Sequence, residues 1–437
     1  MRKKFLHALL VAERVLRTDI KYLARGGFWL IIGQVGTVLF GFLMAYVFAN
    51  LMEPEKYGVY KYILSIIGLT GTLSLIGLGK AVNRAAAQGV LDALPHGFSA
   101  SLRWSIGSIV AAGCIGTYYL WNDNLIIGFA IFFGGAISPL IAAASLYDNF
   151  LSGLQEFKTK TLYNLLRSIV PIGILVGVVS ITNNPLLLST AYFSTTFIAT
   201  YFCYHRIISQ YSKTTKHLHH EMLSYGKHLS GIGIFATAVA QLDRILVFSQ
   251  LGGTALALYA FSEVAPDQMR STAGIVNSLA FSKMTQQDYD QIRRTIARKS
   301  LILFAVGLTL AGIYIALAPY LFSLFFPQYL AAIPYSQAYA LTVPLVFAGA
   351  LYSQALVSHA KKKLLYINSL STSLLRLILL AVLITPFGIW GVVWATLGYY
   401  AFGLILLLVT FYFFDTNTGK RMKPGARSGN WTPEELA

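Results

Sequence analysis

Charged residues are scarce in this sequence, and acidic ones are the scarcest. Only 12% of its 437 residues are charged, and 17 acidic residues face 34 lysines and arginines. Soluble domains carry roughly 25% charged residues. Hydrophobic residues make up 56% of the chain, and the mean hydropathy is +0.62. This composition excludes an ordinary soluble domain and is typical of an integral membrane protein.

Several features on which enzyme chemistry depends are also missing. The only two cysteines, Cys114 and Cys203, give neither a disulfide framework nor a metal-binding spacing. The phosphate-binding motif G-x-x-x-x-G-K-S/T does not occur, so ATP is not expected to be the direct energy source. We therefore expect no metal and no cofactor.

About twelve apolar runs are long enough to cross a membrane, because a hydrocarbon core of about 30 Å takes roughly 20 helical residues. The sequence therefore predicts an all-α integral membrane protein with about twelve transmembrane helices. The runs lie at residues 28–50, 57–79, 103–121, 125–148, 165–182, 186–204, 229–251, 256–281, 301–322, 332–357, 364–385 and 388–414.

Lysine and arginine are distributed unevenly around these runs. All but five of the 34 lie before the first run, after the last run, or in every second gap between runs. One of these gaps is the one to which Lys158, Lys160 and Arg167 are assigned. Because positively charged segments stay cytoplasmic, both termini are predicted to be cytoplasmic. The net charge of +17 then lies next to anionic lipid headgroups, and no nucleic-acid partner is expected.

The gaps on the opposite, outer side are short. They include residues 51–56, 122–124 and 252–255, and none could hold a folded domain. This counts against an enzyme that works at the outer face, such as a glycan polymerase.

The chain also shows signs of an internal duplication. Four residues of the first half recur at a constant spacing of 205 residues: Tyr147 with Tyr352, Asn149 with Gln354, Leu151 with Leu356, and Lys158 with Lys363. Six spans per half give both halves the same orientation, which predicts two parallel six-helix repeats that form two lobes around a central cavity.

The predicted organisation has five parts. They are a cytoplasmic amphipathic segment at 1–27, an N-lobe at 28–204, a cytoplasmic linker at 205–228, a C-lobe at 229–414 and a disordered cytoplasmic tail at 415–437.

Several short motifs resemble those of a known family. Residues 51–60 (LMEPEKYGVY) and the Gly77-Leu-Gly79 that precedes a basic loop are similar to the start of polysaccharide-export flippases. Asp243-Arg244-Ile-Leu and Ala257-Leu-Tyr259 are similar to the seventh and eighth helices of that family. Residues 150–155 (FLSGLQ) resemble its fourth-to-fifth connection, and the resemblance covers about residues 25–415.

The resemblance implies a function. The family moves lipid-pyrophosphate-linked oligosaccharides from the inner to the outer leaflet of the bacterial cytoplasmic (inner) membrane, and twelve spans fit its O-antigen-type branch. It belongs to a superfamily with multidrug and toxin extrusion proteins and lipid II flippases. The resemblance thus implies a lipid-linked oligosaccharide substrate, contact with membrane lipids and a polysaccharide polymerase machinery as partner.

Charged residues within the predicted spans are the candidate functional residues. Each costs about 2.5–3.5 kcal/mol on insertion scales and needs a partner or a function. Glu263, Asp267 and Arg270 lie at i, i+4 and i+7 on one helix face, and Pro266 among them should kink the helix. We expect this face to border a water-filled cavity. The set is Lys61, Asp243, Arg244, Glu263, Asp267, Arg270 and Arg376.

Two interpretations of these charges remain open. In the first, Asp267 and Arg270 form a structural ion pair, and Asp243 pairs with an arginine on a neighbouring helix. In the second, Arg244, Arg270 and Arg376 line a cationic lumen and bind a pyrophosphate, because a guanidinium directs two donors at phosphate oxygens.

The roles of the remaining candidate residues also have alternatives. Lys61 either snorkels to the outer interface or joins the cationic lumen. Gln34 either contacts sugar hydroxyls or packs against another helix. Asp267 is the first candidate to bind a coupling proton, because burial favours the neutral carboxyl group, and Glu263 and Asp243 are further candidates.

Two other functions compete with a flippase, namely a multidrug exporter of the same fold and a membrane glycan polymerase or glycosyltransferase. Exporters of organic cations need acidic sites, whereas four basic residues face three acidic ones within the spans. This balance favours an anionic substrate. No loop holds a pair of carboxylates suited to glycosyl transfer, so we expect no catalytic residues and no enzyme.

Overall fold

Helices make up the regular structure of this protein. The structure, a computed structural model, describes residues 20–75, 77–211, 219–274, 284, 289–358 and 362–413, and no strand occurs among them. The helices are α1 (Ile20–Leu51), α2 (Pro54–Gly71), α3 (Leu78–Ala87), α4 (Ala93–Trp104), α5 (Ile106–Trp121), α6 (Leu125–Ala144), α7 (Leu146–Gly153), α8 (Phe157–Ile181), α9 (Pro185–Tyr211), α10 (His219–Ser271), α11 (Tyr289–Phe325), a 3-10 helix (Pro327–Ala332), α12 (Ile333–Ala340), α13 (Thr342–Ser358), α14 (Lys362–Phe387) and α15 (Ile389–Phe413). The all-α prediction is confirmed.

Ten helical segments of the described residues are long and apolar enough to cross a membrane. α2 is not among them because its 18 residues include Glu55, Lys56 and Lys61. α10 counts once among the ten but covers two predicted runs. With these two helices taken into account, each of the twelve predicted runs corresponds to one helical segment.

Helix α10 is a hairpin of two spans. Gly252 has φ 87° and ψ 179°, a conformation that only glycine adopts readily. Along a straight helix Asp243 and Tyr259 would be about 24 Å apart. Their side chains instead meet, with the Tyr259 hydroxyl 2.7 Å from Oδ2 of Asp243. The first arm (residues 219–251) and the second arm (residues 253–271) therefore run antiparallel.

The second predicted run, 57–79, extends beyond the end of the helix to which it corresponds. α2 stops at Gly71, and α3 begins at Leu78. The Thr72 hydroxyl donates to the carbonyl of Leu69 at 2.7 Å, and the Ser74 hydroxyl donates to the carbonyl of Gly71 at 2.6 Å. These hydroxyls occupy carbonyls that a continuing helix would use, so the chain turns here.

The ends of the chain are only partly described. α1 is helical from Ile20 and continues through Gly26 and Gly27, so the predicted boundary at residue 27 falls inside a helix. Residues 1–19 and 414–437 lie outside the described residues, as do 212–218 of the predicted linker. The predictions of a surface helix and a disordered tail remain predictions.

The two halves bury matching residues in matching places. Tyr147 and Leu151 belong to a hydrophobic cluster at one end of the N-lobe. Tyr352 and Leu356, which follow at the spacing of 205 residues, belong to the corresponding cluster of the C-lobe. The predicted parallel repeats are therefore present.

The lobes meet through an apolar interface formed by α2 and the α10 hairpin. Tyr62 of α2 stacks on Phe248 of α10 with ring centroids 4.0 Å apart. Both helices contribute to a core cluster that extends into α6, α14 and α15. At Gly58, a Cβ atom would lie 1.9 Å from the carbonyl oxygen of Gly253, so the two backbones are in direct contact.

Gly58→Ala is therefore expected to destabilise the protein by about 1–3 kcal/mol, because the added methyl group must separate α2 from the hairpin tip. The measurement is the midpoint of thermal unfolding in detergent. Gly173→Ala in α8 is the matched control, since a Cβ atom there meets nothing within 4 Å. The proposed contact would be contradicted if both variants unfolded at the same temperature as the parent.

Candidate functional site

The α10 hairpin places most of the intramembrane charges side by side. Asp243 and Arg244 lie on its first arm, and Glu263, Asp267 and Arg270 lie on its second arm. Because the arms are antiparallel, residues nearly equidistant from Gly252 face one another. Residues far apart in the sequence thus form one charged cluster inside the membrane.

Asp243 is the most deeply buried member of this cluster, with its side chain 3% exposed. Its Oδ2 atom accepts hydrogen bonds from Nη2 of Arg376 and from the Tyr259 hydroxyl, both at 2.7 Å. Its Oδ1 atom accepts from the backbone N–H of Arg244 at 2.8 Å. The buried carboxylate is thus fully partnered.

The Tyr259 hydroxyl also joins Asp243 to Glu263. It lies 3.1 Å from Oε1 of Glu263, and Nη2 of Arg244 lies 3.2 Å from the Oε2 atom. A phenol has one proton and can donate to only one of the two carboxyl groups at a time. The chain Arg376–Asp243–Tyr259–Glu263–Arg244 is therefore one connected network.

Arg270 is held independently of that network. Its Nη2 atom pairs with Oδ1 of Asp267, and its Nη1 atom donates to the Thr342 hydroxyl at 3.1 Å. The guanidinium also lies 5.1 Å from the ring centroid of Tyr400 and 5.9 Å from that of Tyr339. Arg270 would therefore keep its position if Asp267 moved away.

Exposure separates the cluster into an inner and an outer part. The side chains of Arg270 and Glu263 are 9% and 8% exposed, whereas those of Asp267 and Arg244 are 44% and 33% exposed. Lys61 of α2 lies within electrostatic range of Arg244, Glu263 and Asp267, and its ammonium lies 5.3 Å from the Tyr57 ring centroid. Lys61 of the N-lobe thus lies near both the inner and the outer part of the cluster.

The pairing foreseen from the sequence is present. Asp267 pairs with Arg270, and Asp243 pairs with an arginine of another helix, Arg376. Arg244 also has a carboxylate partner, Glu263. Phosphate binding by these three arginines remains a prediction.

Gln34 meets α10 and thereby connects the lobes. Its Nε2 atom donates to the Ser271 hydroxyl at 2.9 Å. Gly41 lies about two turns after Gln34 on the same face of α1. A Cβ atom there would lie 3.5 Å from Nε2 of Gln268. Gln34 is thus in a helix contact, and a role in sugar binding remains a prediction.

Two adjoining cavities lie away from the charged cluster, the first in the N-lobe and the second bordered also by Thr237 of α10. The first has a volume of about 320 Å³ and a wholly polar lining of Thr37, Ser145, Asp148, Asn149, Asn164, Arg167 and Ser168. The second has a volume of about 480 Å³ and shares Ser145 and Asn149 with the first. None of Lys61, Arg244, Arg270 and Arg376 lines either of them.

Arg167 is the functional candidate that the sequence reasoning missed. It was assigned to a cytoplasmic gap, but it lies within α8. The available signal was the spacing of Asn164, Arg167 and Ser168 at i, i+3 and i+4, which puts three polar side chains on one face of an apolar helix.

The sequence matches one protein family over more than half of its length. The model of the family described as "Polysaccharide biosynthesis protein" matches residues 23–264. No curated protein matches the chain.

Three solved structures with a similar fold are each distant from this chain in sequence. The lipid II flippase MurJ, in an inward closed conformation, has a TM-score of 0.65 at 14% identity over 89% of this chain and 87% of that one. An outward-facing multidrug resistance MATE family transporter of the MOP superfamily has 0.62 at 14% identity over 91% and 97%. A MOP superfamily transporter from Pyrococcus furiosus, described as having a binding pocket of reverse polarity, has 0.56 at 14% identity over 91% and 96%. The chain has the fold of this superfamily.

Arg376→Gln is expected to destabilise the protein by about 3–5 kcal/mol, because it leaves the buried Asp243 carboxylate without its cation. Adding Asp243→Asn should recover most of this loss, because a neutral amide needs no cation. Thermal unfolding in detergent measures both effects. Arg206→Gln, which removes an exposed cation of α9, is the control and should change nothing. A double variant no more stable than Arg376→Gln alone would contradict the assigned pairing.

Proposed function

The chain belongs to the polysaccharide biosynthesis protein family, and we propose on that premise that it is a flippase. It translocates a polyprenyl-pyrophosphate-linked oligosaccharide from the inner to the outer leaflet of the bacterial cytoplasmic membrane. It is a multi-pass membrane protein with both termini cytoplasmic, and it delivers its substrate to a polysaccharide polymerase machinery. It carries no catalytic residues.

One observation favours an anionic substrate over an organic cation. Among the described residues, all three carboxylates of the charged cluster have an arginine partner, as described above. Lys61 and Arg167, in contrast, have no carboxylate partner in that part of the chain. A cationic drug would find no free carboxylate here, whereas the pyrophosphate of a lipid-linked sugar would find free cations.

The similarity to solved structures is consistent with both activities. MurJ is named a lipid II flippase, and its fold covers most of this chain. A MATE family multidrug transporter has a comparable TM-score, so the fold by itself does not separate the two activities. The charge pairing supports the flippase.

The arrangement of the lobes suggests how the substrate moves. The ion pairs of Arg376 and Arg270 lie inside the C-lobe, so this lobe moves as one body. α2 and the α10 hairpin form the contact that must part for access to alternate between the two sides. Arg244 and Lys61 lie where the lobes separate and can meet the pyrophosphate as it passes.

The proposed substrate can be tested in reconstituted vesicles. A fluorescent polyprenyl-pyrophosphate-linked oligosaccharide is incorporated, and an impermeant glycosidase reports how much becomes accessible in the other leaflet. We expect the protein to accelerate this exchange, and Arg270→Ala to slow it more than Arg270→Lys, because lysine keeps the charge but loses the two-donor geometry. Transport of ethidium without exchange of the oligosaccharide would instead identify a drug exporter.

Asp267 is the proposed site of proton coupling. Its side chain is 44% exposed, and its partner Arg270 is 9% exposed and held by Thr342 and two aromatic rings, so the pair can separate without releasing the arginine. Glu263, Arg244 and, on α2, Lys61 are the other charges within electrostatic range of it. Protonation of the separated carboxyl would thereby link alternating access to a pH gradient.

Asp267→Asn is expected to abolish the response of exchange to an imposed pH gradient, while binding of the substrate is retained. The measurement is the exchange rate in vesicles with and without the gradient. Glu53→Gln, which removes an exposed carboxylate from the outer gap 51–56, serves as a control for the loss of one carboxylate and should keep the response. An Asp267→Asn variant that still responds like the parent would show that coupling lies elsewhere.

A further inference from the structure

The first N-lobe cavity contains a cation without a partner. Arg167 lies on α8 beside the cavity, is half-buried, and has no ion pair or hydrogen bond to the described residues. A guanidinium carries five N–H donors that need acceptors when water is scarce. This cavity therefore requires a group with several acceptor oxygens.

The carboxylate in the same cavity does not fill that need. Oδ1 of Asp148 accepts from Nδ2 of Asn164 at 2.6 Å, and Oδ2 lies 3.2 Å from Nζ of Lys160. Lys160 therefore neutralises Asp148, and the Tyr147 hydroxyl, which donates to Oδ1 of Asn164 at 3.2 Å, fixes the amide in turn. The cavity keeps one net positive charge, on Arg167.

The hydroxyl groups of the lining provide acceptors. Those of Thr37, Ser145 and Ser168 donate to the carbonyls of Gly33, Ala142 and Asn164 at 2.8, 2.8 and 3.0 Å. Their protons are used, so their oxygens can only accept hydrogen bonds from a ligand. A ligand that fits must bring its own hydroxyl donors in addition to acceptor oxygens for Arg167.

Asn149 connects this cavity to the second one. It lines both cavities, and its amide makes no hydrogen bond to the described residues. A Cβ atom at Gly79 would lie 2.7 Å from its Nδ2 atom, so glycine there gives the amide its space. In the second cavity, the buried hydroxyls of Ser108 and Ser138 also have no hydrogen-bond partner. Unpaired polar groups thus continue from one cavity to the next.

The depth of Arg167 suits a lipid headgroup. It is the third residue of the predicted run 165–182, so it lies at the start of the membrane-spanning part of α8, which begins earlier, at Phe157. By the positive-inside rule this end of α8 is cytoplasmic, because Lys158 and Lys160 lie there. The cavity therefore lies near the inner-leaflet headgroups, with the exposed Thr37 of α1 at its edge.

We propose that this cavity is the loading site for the phosphate–sugar junction of the substrate, with Arg167 binding the phosphate and Asn149 and the hydroxyl oxygens binding the first sugar. The proposal rests on the function proposed above and names where on the N-lobe the substrate is first held. A phosphorylated sugar matches both halves of the lining, since its phosphate supplies acceptors and its hydroxyls supply donors. An ordinary phospholipid headgroup supplies the phosphate but fewer hydroxyl donors.

The test is equilibrium binding to the purified full chain in phosphatidylcholine nanodiscs. The probe is N-acetylglucosaminyl diphosphate linked to a ten-carbon citronellyl chain. Arg167→Gln should weaken binding of the probe by about tenfold or more, because hydrogen bonds to a charged group are lost. The affinity of Arg167→Lys for the probe should lie between those of the parent and Arg167→Gln. Asn149→Ala should weaken binding of the probe by several-fold. Arg206→Gln removes the same charge from an exposed site and should change binding less than about twofold.

Further measurements distinguish failure of the proposed loading site from failure of the proposed function. The unfolding midpoint of Arg167→Gln should equal that of the parent, since Arg167 has no ion-pair or hydrogen-bond partner among the described residues. Binding of the probe to Arg167→Gln as tightly as to the parent would overturn the proposed site and leave the flippase function standing. Displacement of the probe by phosphatidylglycerol added to the nanodisc would also overturn it, in favour of a phospholipid site. A parent that binds ethidium but not the probe would instead refute the flippase function.

Discussion

A buried carboxylate in a membrane must have a cation beside it, and the C-lobe of this protein is organised around that requirement. Asp243 is almost fully buried, and it is compensated by Arg376 from α14 and by Tyr259 from the other arm of the hairpin. These contacts exist only because Gly252 lets α10 reverse direction. The charged cluster and the hairpin therefore depend on one another.

This arrangement gives the two lobes different characters. The C-lobe pairs its intramembrane charges internally, and such pairs hold helices in fixed positions because separating them would leave an unpaired charge. The N-lobe instead contains a cavity lined by polar side chains, among them Arg167, which forms no ion pair with the described residues. A C-lobe held together by ion pairs thus faces an N-lobe that contains a polar cavity.

The contact between the two lobes is apolar and close. It differs in this from the ion pairs inside the C-lobe and from the polar cavity of the N-lobe. Gly58 and Gly253 touch backbone to backbone, and Tyr62 stacks on Phe248. An interface of this kind excludes water without ionic bonds, so separating it exposes apolar surface but leaves no charge unpaired. Lys61, Arg244 and Asp267 lie beside this interface and would become more accessible as it opens.

The sequence by itself determined the membrane class, the twelve spans, the repeat and the set of intramembrane charges. Hydropathy, charge and residue spacing are properties of the chain that do not require knowledge of which helices pack together. The pairing of Asp267 with Arg270 was also foreseeable, because both lie on one turn of the same helix.

Only the tertiary structure decided which charges meet across helices and which remain free. Arg376 lies 133 residues from Asp243, and no local pattern shows that the two touch. The end of α2 at Gly71 depended on hydroxyl groups that compete for helix carbonyls, which hydropathy does not register. Arg167 was read as a loop cation because basic residues near a span usually are. Its position in a polar cavity follows from the packing of α1, α7 and α8, because packing determines whether a side chain meets lipid, water or another helix.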